Sequence, residues 1–360
     1  MISIIVQTYN SRETLAKLLR SIEESMFTDY EVLVVDDGST DGTLEMLQGD
    51  LVRVLKTPRN GGPSLARNVG ARVAGGDVIL FLDSDVILRP DTLDEVERFF
   101  RYYPDRSVMI GVYDPEPANP GAWPLYKALQ CYSYYWRFPP IREVSLLWAA
   151  VAAFRKDVYL QSGGFDVGFN GPSMEDLELG RRISLSNSIF LNRRVVVKHH
   201  FPPTLRKNVR DHFHRGYLWV KIYFKHHRFD NYLSTPRRAL GRLTAFAVIP
   251  SLLLTPFFPA AGWAAAVYFT IYLLCNYDLW AVVGKRAPRF LATALLMDYL
   301  LGVVLGAAFV SAVIEEVYRR VRNLIRDSKR LGALLPSNPD ERSVLAKTVE
   351  SAADNEIHSS

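Results

Sequence analysis

Glu31-Val32-Leu33-Val34-Val35-Asp36-Asp37-Gly38-Ser39-Thr40-Asp41-Gly42 decides the fold. A short apolar run ends directly in acids and glycines, and a helical pattern from Gly42 to Gln48 follows. The same alternation surrounds it. Upstream, Ile2 to Gln7 reads as a strand and Arg12 to Ser25 as a helix. Downstream come the strand Val52 to Lys56, the helix Pro63 to Ala74 and the strand Val78 to Leu82. Strands alternating with helices predict βαβ units, hence an α/β fold with a Rossmann-like, mostly parallel sheet. Ligands gather at the carboxyl ends of such strands.

The residues at those ends carry chemistry. In Asp36 to Gly42 the carboxylates can accept hydrogen bonds from a base imide or a ribose hydroxyl, and the glycines permit close approach. The same residues also suit a capped turn. Leu80-Phe81-Leu82-Asp83-Ser84-Asp85 is a second strand ending in paired acids, a pattern suited to Mg²⁺ or Mn²⁺, which prefer oxygen ligands and often bind substrate phosphates as well. Two exposed turn aspartates would look the same. In Gly61 to Gly70 the glycines open a helix that carries Arg67 one turn inside, within reach of a base or diphosphate. Glu175-Asp176-Leu177-Glu178-Leu179-Gly180-Arg181-Arg182 puts acids at a helix start and arginines later, which a solvated helix with i,i+4 pairs would also do.

Asp91 to Tyr103 predicts a helix, and Leu147 to Phe154 another strand. Glu175 to Leu185 has helical spacing, and Val195 to Lys198 is expected to close the sheet. Tyr113 to Trp136, rich in Pro, Gly and aromatics without a clean period, reads as acceptor-side loops. At 360 residues the chain exceeds one ordinary domain, and its +5 net charge suits nucleic acid, an anionic membrane or a phosphorylated substrate equally. Cys131 and Cys275 are the only cysteines, which indicates neither a disulfide framework nor a zinc site and points to a reducing compartment. The first residues read as a strand with no secretory signal, so the N-terminal part is expected to be cytoplasmic.

Lys207 to Tyr232 mixes cations with aromatics, as an interfacial amphipathic helix does. Leu243 to Tyr277 runs about 35 residues without a charge, enough for two crossings joined near Pro256 and Pro259. Phe290 to Ile314 is also long enough to span and is interrupted only by Asp298. Three full spans cannot put all the basic clusters on one side: Arg237, Arg238 and Arg242; Lys285, Arg286 and Arg289; Arg319, Arg320 and Arg322. Either one segment is re-entrant or interfacial, or the last cluster breaks the positive-inside tendency. The expected organisation is a catalytic domain at 1–205, amphipathic helices at 206–240, two or three transmembrane helices within 241–316, and a basic then disordered cytoplasmic tail at 317–360.

Taken together, Thr8-Tyr9-Asn10, Asp36 to Thr43, Ala66 to Gly70, Asp83 to Asp85 and Glu175 to Arg182 resemble the membrane-associated bacterial family 2 glycosyltransferases of GT-A fold. The resemblance covers the first two hundred residues. It implies that Thr8, Asn10, Asp36 or Asp37, and Arg67 bind the nucleotide-sugar donor. Asp83 would lie at the ribose, Asp85 at a metal bridging the diphosphate, and Asp176 would be the general base. Glu175 and Trp148 would lie on the acceptor side. His199, in Val197-Lys198-His199-His200, matches a histidine the family often carries and would ligate the metal or touch the diphosphate. Arg215, in His214-Arg215-Gly216, resembles a diphosphate-contacting arginine and departs from the glutamine-and-tryptophan motif of processive synthases.

In that reading Asp176 takes a proton from an acceptor hydroxyl opposite the diphosphate, and one displacement inverts the anomeric centre. A phosphate acceptor is already ionised and would be repelled by a carboxylate, so a hydroxyl on a lipid, a lipid-linked saccharide or an envelope glycan fits better. A polyprenyl-phosphate transferase is the alternative. A non-catalytic, membrane-anchored sugar-nucleotide sensor would need no base. No GxGxxG follows the first strand, which counts against an oxidoreductase. The basic residues flank apolar spans and form no single stripe, which counts against nucleic acid as a partner. The expected location is the cytoplasmic face of the plasma membrane.

Overall fold

The computed structural model describes residues 1–47, 52–168, 174–226, 232–233 and 235–334. The first half follows the alternation in the sequence: β1 (Ile2–Thr8), α1 (Arg12–Glu23), β2 (Tyr30–Asp36), α2 (Thr43–Met46), β3 (Arg53–Lys56), α3 (Gly62–Val73) and β4 (Val78–Asp83). β1 pairs in parallel with both β2 and β4, and β2 with β3. The register sets Thr8 opposite Asp36 and Gln7 opposite Asp83, so these residues share one level at the sheet's carboxyl edge.

Next come β5 (Val86–Leu88), α4 (Thr92–Tyr102), β6 (Val108–Tyr113), α5 (Ala122–Ser133), β7 (Ile141–Val144), β8 (Val151–Arg155), α6 (Lys156–Gln161), α7 (Glu175–Ile183) and β9 (Ile189–His199). The strand order is β3-β2-β1-β4-β8-β6-β9-β5, with β7 also on β9. The expected mostly parallel sheet is parallel from β3 to β4. Beyond β4 it is mixed: β8 runs antiparallel to β4 and β6, β6 is parallel to β9, and β5 and β7 are antiparallel to β9. Side chains alternate across the sheet as strand geometry requires. Leu80 and Leu82 join a core with Leu15, Leu18, Val96 and Phe99, while Ile79 and Phe81 join one with Leu33, Phe154, Tyr159 and Phe165.

Three local expectations need correction. Tyr113 to Trp136 is loop only in part: it ends β6, is irregular over 114–121, and then forms the twelve-residue α5. That helix packs Ala128 and Cys131 against the sheet and Tyr126 and Leu129 against later helices, so it is apolar on two faces and has no clean period. The strand expected from Leu147 starts only at Val151. Val195 to Lys198 is the second half of β9, an interior strand of 11 residues whose first half was hidden by the polar run Asn192-Arg193-Arg194.

The remaining helices are α8 (Leu205–His226), α9 (Pro236–Leu254), α10 (Pro259–Cys275), α11 (Tyr277–Arg286) and, after a short 3-10 turn, α12 (Leu291–Leu334). α8 carries most of the amphipathic stretch, and its remainder at 227–231 lies outside the described residues, as do Gln48 and the tail from 335 on. α9 and α10 form a hairpin turning at the expected prolines, with Gly241 near the start of α9 lying against Cys275 at the end of α10. Among the described residues one helix, Pro288–Asn323, is long and apolar enough to cross a membrane; the pair α10 and α11, bent by 63°, passes the same test only when taken together. The chain divides into two units, Met1–Ala308 and Phe309–Ser360. In the second, Glu316 pairs with Arg319 and Arg320 one turn on.

Candidate active site

The carboxyl edge of the sheet is organised by Arg67. α3 delivers it from the buried side, only 3% exposed, with Phe165 stacked on its guanidinium. One arm, Nη2, donates to Asp83 Oδ1 at 2.9 Å and the other, Nη1, to Glu175 Oε1 at 3.1 Å. Gln7 also donates to Asp83 Oδ1. One guanidinium therefore ties the end of β4 to the start of α7, two elements about ninety residues apart in sequence.

Around that bridge lie the other acids. Asp85 follows Asp83 after a tight turn, and its carbonyl accepts the His200 amide at 2.9 Å, which brings the end of β9 alongside. His199 Nε2 then stands 3.4 Å from Asp85 Oδ1. Burial, and secondly the charge of Asp83, push the Asp85 carboxyl up to about 7. Burial pushes His199 down to about 3, so the imidazole is neutral, and its buried Nδ1 has no hydrogen-bond partner. Asp176 sits beside Glu175 in the first turn of α7, its Oδ1 accepting the Leu177 amide at 2.8 Å. Burial and then the Glu175 charge push Asp176 up to about 7, against the opposing pull of Arg67.

Tyr113, Trp148 and Phe201 line this part of the site. The Tyr113 ring lies 4.6 Å from His199, and its hydroxyl accepts from Trp148 Nε1 at 3.2 Å. Arg215 is exposed on α8, where its charge lowers the pKa values of both Asp85 and His199. α8 is held to α5 through Lys127, whose Nζ lies 2.6 Å from Gln130 Oε1 and 3.2 Å from His212 Nε2. Burial brings the Lys127 amine down to about 8. Neither Tyr113 nor Lys127 was legible as a site residue, because both fell in the stretch without a period.

The remaining candidates hold the loops. Asp37 is buried, and its carboxylate accepts the Gly61 and Gly62 amides at 3.0 and 2.7 Å and the Thr57 hydroxyl at 2.7 Å. Gly62 has φ +80°, a conformation that costs glycine little, and this aims its amide at Asp37. Asp36 caps its own turn through the Gly38 and Ser39 amides. Thr8 is buried and its carbonyl accepts the Asp37 amide at 2.9 Å. Asn10 adopts φ +49°, which asparagine tolerates, and its Oδ1 accepts the Thr40 amide at 2.8 Å. The capped-turn reading thus describes Asp36 and Asp37 in the free chain, while Arg67, Asp83, Glu175 and Asp176 are brought together and Asp85 with His199 adjoins them.

Two predictions follow from this geometry. Asp37→Ala frees two part-buried amides and a hydroxyl, so urea unfolding is expected to show a loss of about 1–3 kcal/mol. The pH dependence has a definite sign. Asp85 and Asp176 are neutral below about 7 and charged above it, so any reaction needing both as carboxylates rises with pH through about 7. Because their folded values exceed the ordinary carboxylate range, they add stability at low pH that is lost as pH climbs through 7. A melting series from pH 5 to 8.5 checks this, and Mn²⁺ is expected to raise Tm more at the alkaline end.

A sheet of this order, with acids at the ends of β2 and β4 and at the start of α7, defines the GT-A class of α/β protein. Residues 3–161 match the sequence family described as Glycosyl transferase family 2, and the chain carries a glycosyltransferase domain of that family. Among curated proteins it is 36% identical over 104 residues to an uncharacterized glycosyltransferase of Haemophilus influenzae, covering 28% of this chain and 42% of that protein. It is 40% identical over 105 residues to the poly(ribitol-phosphate) beta-N-acetylglucosaminyltransferase TarS of Staphylococcus aureus, covering 27% and 18%. The matched regions span less than half of these relatives. Among solved structures, mannosyltransferase PcManGT of Pyrobaculum calidifontis, in complex with GDP-Man and Mn²⁺, shares the fold at a TM-score of 0.52 and 18% identity, over 88% of this chain and 87% of that one.

Proposed function

We propose that the chain is a membrane-attached, inverting glycosyltransferase that moves a sugar from a nucleotide-sugar to a hydroxyl on a lipid, a lipid-linked saccharide or an envelope glycan at the cytoplasmic face. The observation that carries it is the Arg67 bridge, which joins the strand end bearing the Asp83 and Asp85 pair to the helix start bearing Asp176. Asp176, half-buried and with a carboxyl near 7, is suited to take a hydroxyl proton at neutral pH. Asp83 and Arg67 face the ribose and diphosphate side, and Arg215 meets the diphosphate from α8. Trp148 and Glu175 border the acceptor.

A divalent cation suits the donor set. Among the described residues no three acids, histidines or cysteines form a ready-made metal cluster. Even so, Asp85 and the neutral imidazole of His199 adjoin, and Asp83 presses on Asp85 with like charge that a cation would relieve. Diphosphate oxygens commonly complete such sites. Mn²⁺ or Mg²⁺ held there would offset charge on the leaving diphosphate. Similarity to a mannosyltransferase whose structure holds GDP-Man and Mn²⁺ supports this choice.

Membrane attachment is supported by the apolar helix Pro288–Asn323. Similarity to the poly(ribitol-phosphate) transferase favours a cell-envelope glycan as acceptor. Radiolabelled UDP-, GDP- and dTDP-sugars offered to the detergent-solubilised chain with total membrane lipid, with and without chelator, test the reading. One donor is expected to give a chelator-sensitive, inverted glycoside on a hydroxyl. Label held only in an acid-labile phosphate linkage would assign a lipid phosphate instead, and no transfer from any donor would refute the proposal.

A further inference from the structure

We infer that the α9–α10 hairpin is a re-entrant anchor, entering one leaflet from the catalytic side and returning without reaching the far surface. The inference rests on the membrane attachment proposed above and gives it a depth.

The depth is set by Asp298, a fully buried carboxylate in the apolar part of α12. Its Oδ2 accepts from Arg242 of α9 at 2.7 Å and from the Tyr272 hydroxyl of α10 at 2.9 Å. Its Oδ1 accepts from the Tyr126 hydroxyl at 2.6 Å and Gln130 Nε2 at 3.2 Å. Tyr126 and Gln130 belong to α5 of the catalytic body. The three later helices are thus pinned together at the level where they meet that body, and a body that handles nucleotide-sugars stands in water.

Measured from this level, both arms are short. α9 continues from Arg242 to Leu254, about 18 Å at the α-helical rise, and α10 runs back from Tyr272 to Pro259, about 20 Å. The two lengths agree, and both fall well short of a hydrocarbon core about 30 Å thick. Tyr277 then turns the chain through 63° into α11, which lies against α5 through Leu279, Val282 and Val283 and does not extend α10 as a span.

The tip has the chemistry of a buried surface, with nothing among the described residues over it. Leu253 is 70% exposed, Phe257 76% and Trp263 79%, and no charged residue occurs from Leu243 to Tyr277. A soluble surface rarely presents such a patch. Cations sit only at the base, where Lys285, Arg286 and Arg289 are exposed and suited to anionic headgroups. Beside the hairpin, a Cβ at Gly306 of α12 would lie 2.3 Å from Phe246 Cβ, the close backbone approach typical of helices packed in lipid. A returning hairpin leaves the first two basic clusters on one side of the membrane, as two full crossings also would, so the shortness of the arms is what separates the two.

The test uses the full chain in cells and in inverted membrane vesicles, with Cys131 and Cys275 replaced by serine. A Phe257→Cys variant and, as a reporter of the catalytic side, a Leu185→Cys variant are treated with a membrane-impermeant maleimide. Leu185 is 85% exposed on the catalytic body. The expected result is a carbonate-resistant chain in which Leu185→Cys labels from one face only and Phe257→Cys labels from neither until detergent is added. Labelling of Phe257→Cys from the face opposite Leu185→Cys would mean that the hairpin crosses, overturning the inference while leaving membrane attachment intact. A chain washed free by carbonate, with Phe257→Cys labelled from the Leu185 side or shielded in a soluble dimer, would overturn both.

Discussion

Asp176→Asn is expected to lower the transfer rate by about 10²- to 10⁴-fold, the range for loss of a general base, while leaving donor KM within about twofold. The amide is isosteric with the carboxyl and can still accept the Leu177 amide, so α7 keeps its first turn. What it cannot do is hold the acceptor proton. Steady-state kinetics with donor and acceptor varied separately measure the split. A variant with full rate would remove Asp176 from the chemistry, and one whose loss lies wholly in donor KM would move it to the binding side.

The second large effect concerns stability as much as rate. Arg67→Met fills similar volume but leaves Glu175 and Asp83 facing each other without a cation. Removing one partner of a buried ion pair costs about 3–5 kcal/mol, and urea unfolding of the variant is expected to show a loss in that range. Arg67→Lys keeps the charge but offers a point where two separate carboxylates need a fork. It is expected to recover part of the stability and little of the activity, because α7 is no longer held to the end of β4. Equal stability of Arg67→Met and the parent chain would show that the bridge does not organise the site.

These two residues also mark how far the sequence could be read. The parallel half of the sheet was legible because each apolar strand runs into polar residues at one end, and the register then fixes Thr8 beside Asp36 and Gln7 beside Asp83. The acids of the site were legible as motifs for the same reason. What connects them was not: Arg67 meets Glu175 across 108 residues of sequence, a contact no local period encodes. Asp36 and Asp37 suit two roles in the sequence, nucleoside contacts or turn caps. The loop amides around them account for the second, since a buried carboxylate needs donors and Gly61 and Gly62 supply them. α5 was missed because a helix between a sheet and a helical layer has no polar face to reveal its period. Asp298 was visible as an interruption of an apolar run, but its four partners come from three other helices.

Calorimetric titration of UDP and of GDP, each with and without Mn²⁺, into the parent chain, Asp85→Asn and Asp176→Asn bears most directly on whether one cleft holds both donor and base. The parent is expected to bind one nucleotide in a Mn²⁺-dependent way, Asp85→Asn to lose that dependence, and Asp176→Asn to keep it while failing to transfer. Mn²⁺-dependent binding that survives in Asp85→Asn, or vanishes in Asp176→Asn, would contradict the division of labour between the end of β4 and the start of α7.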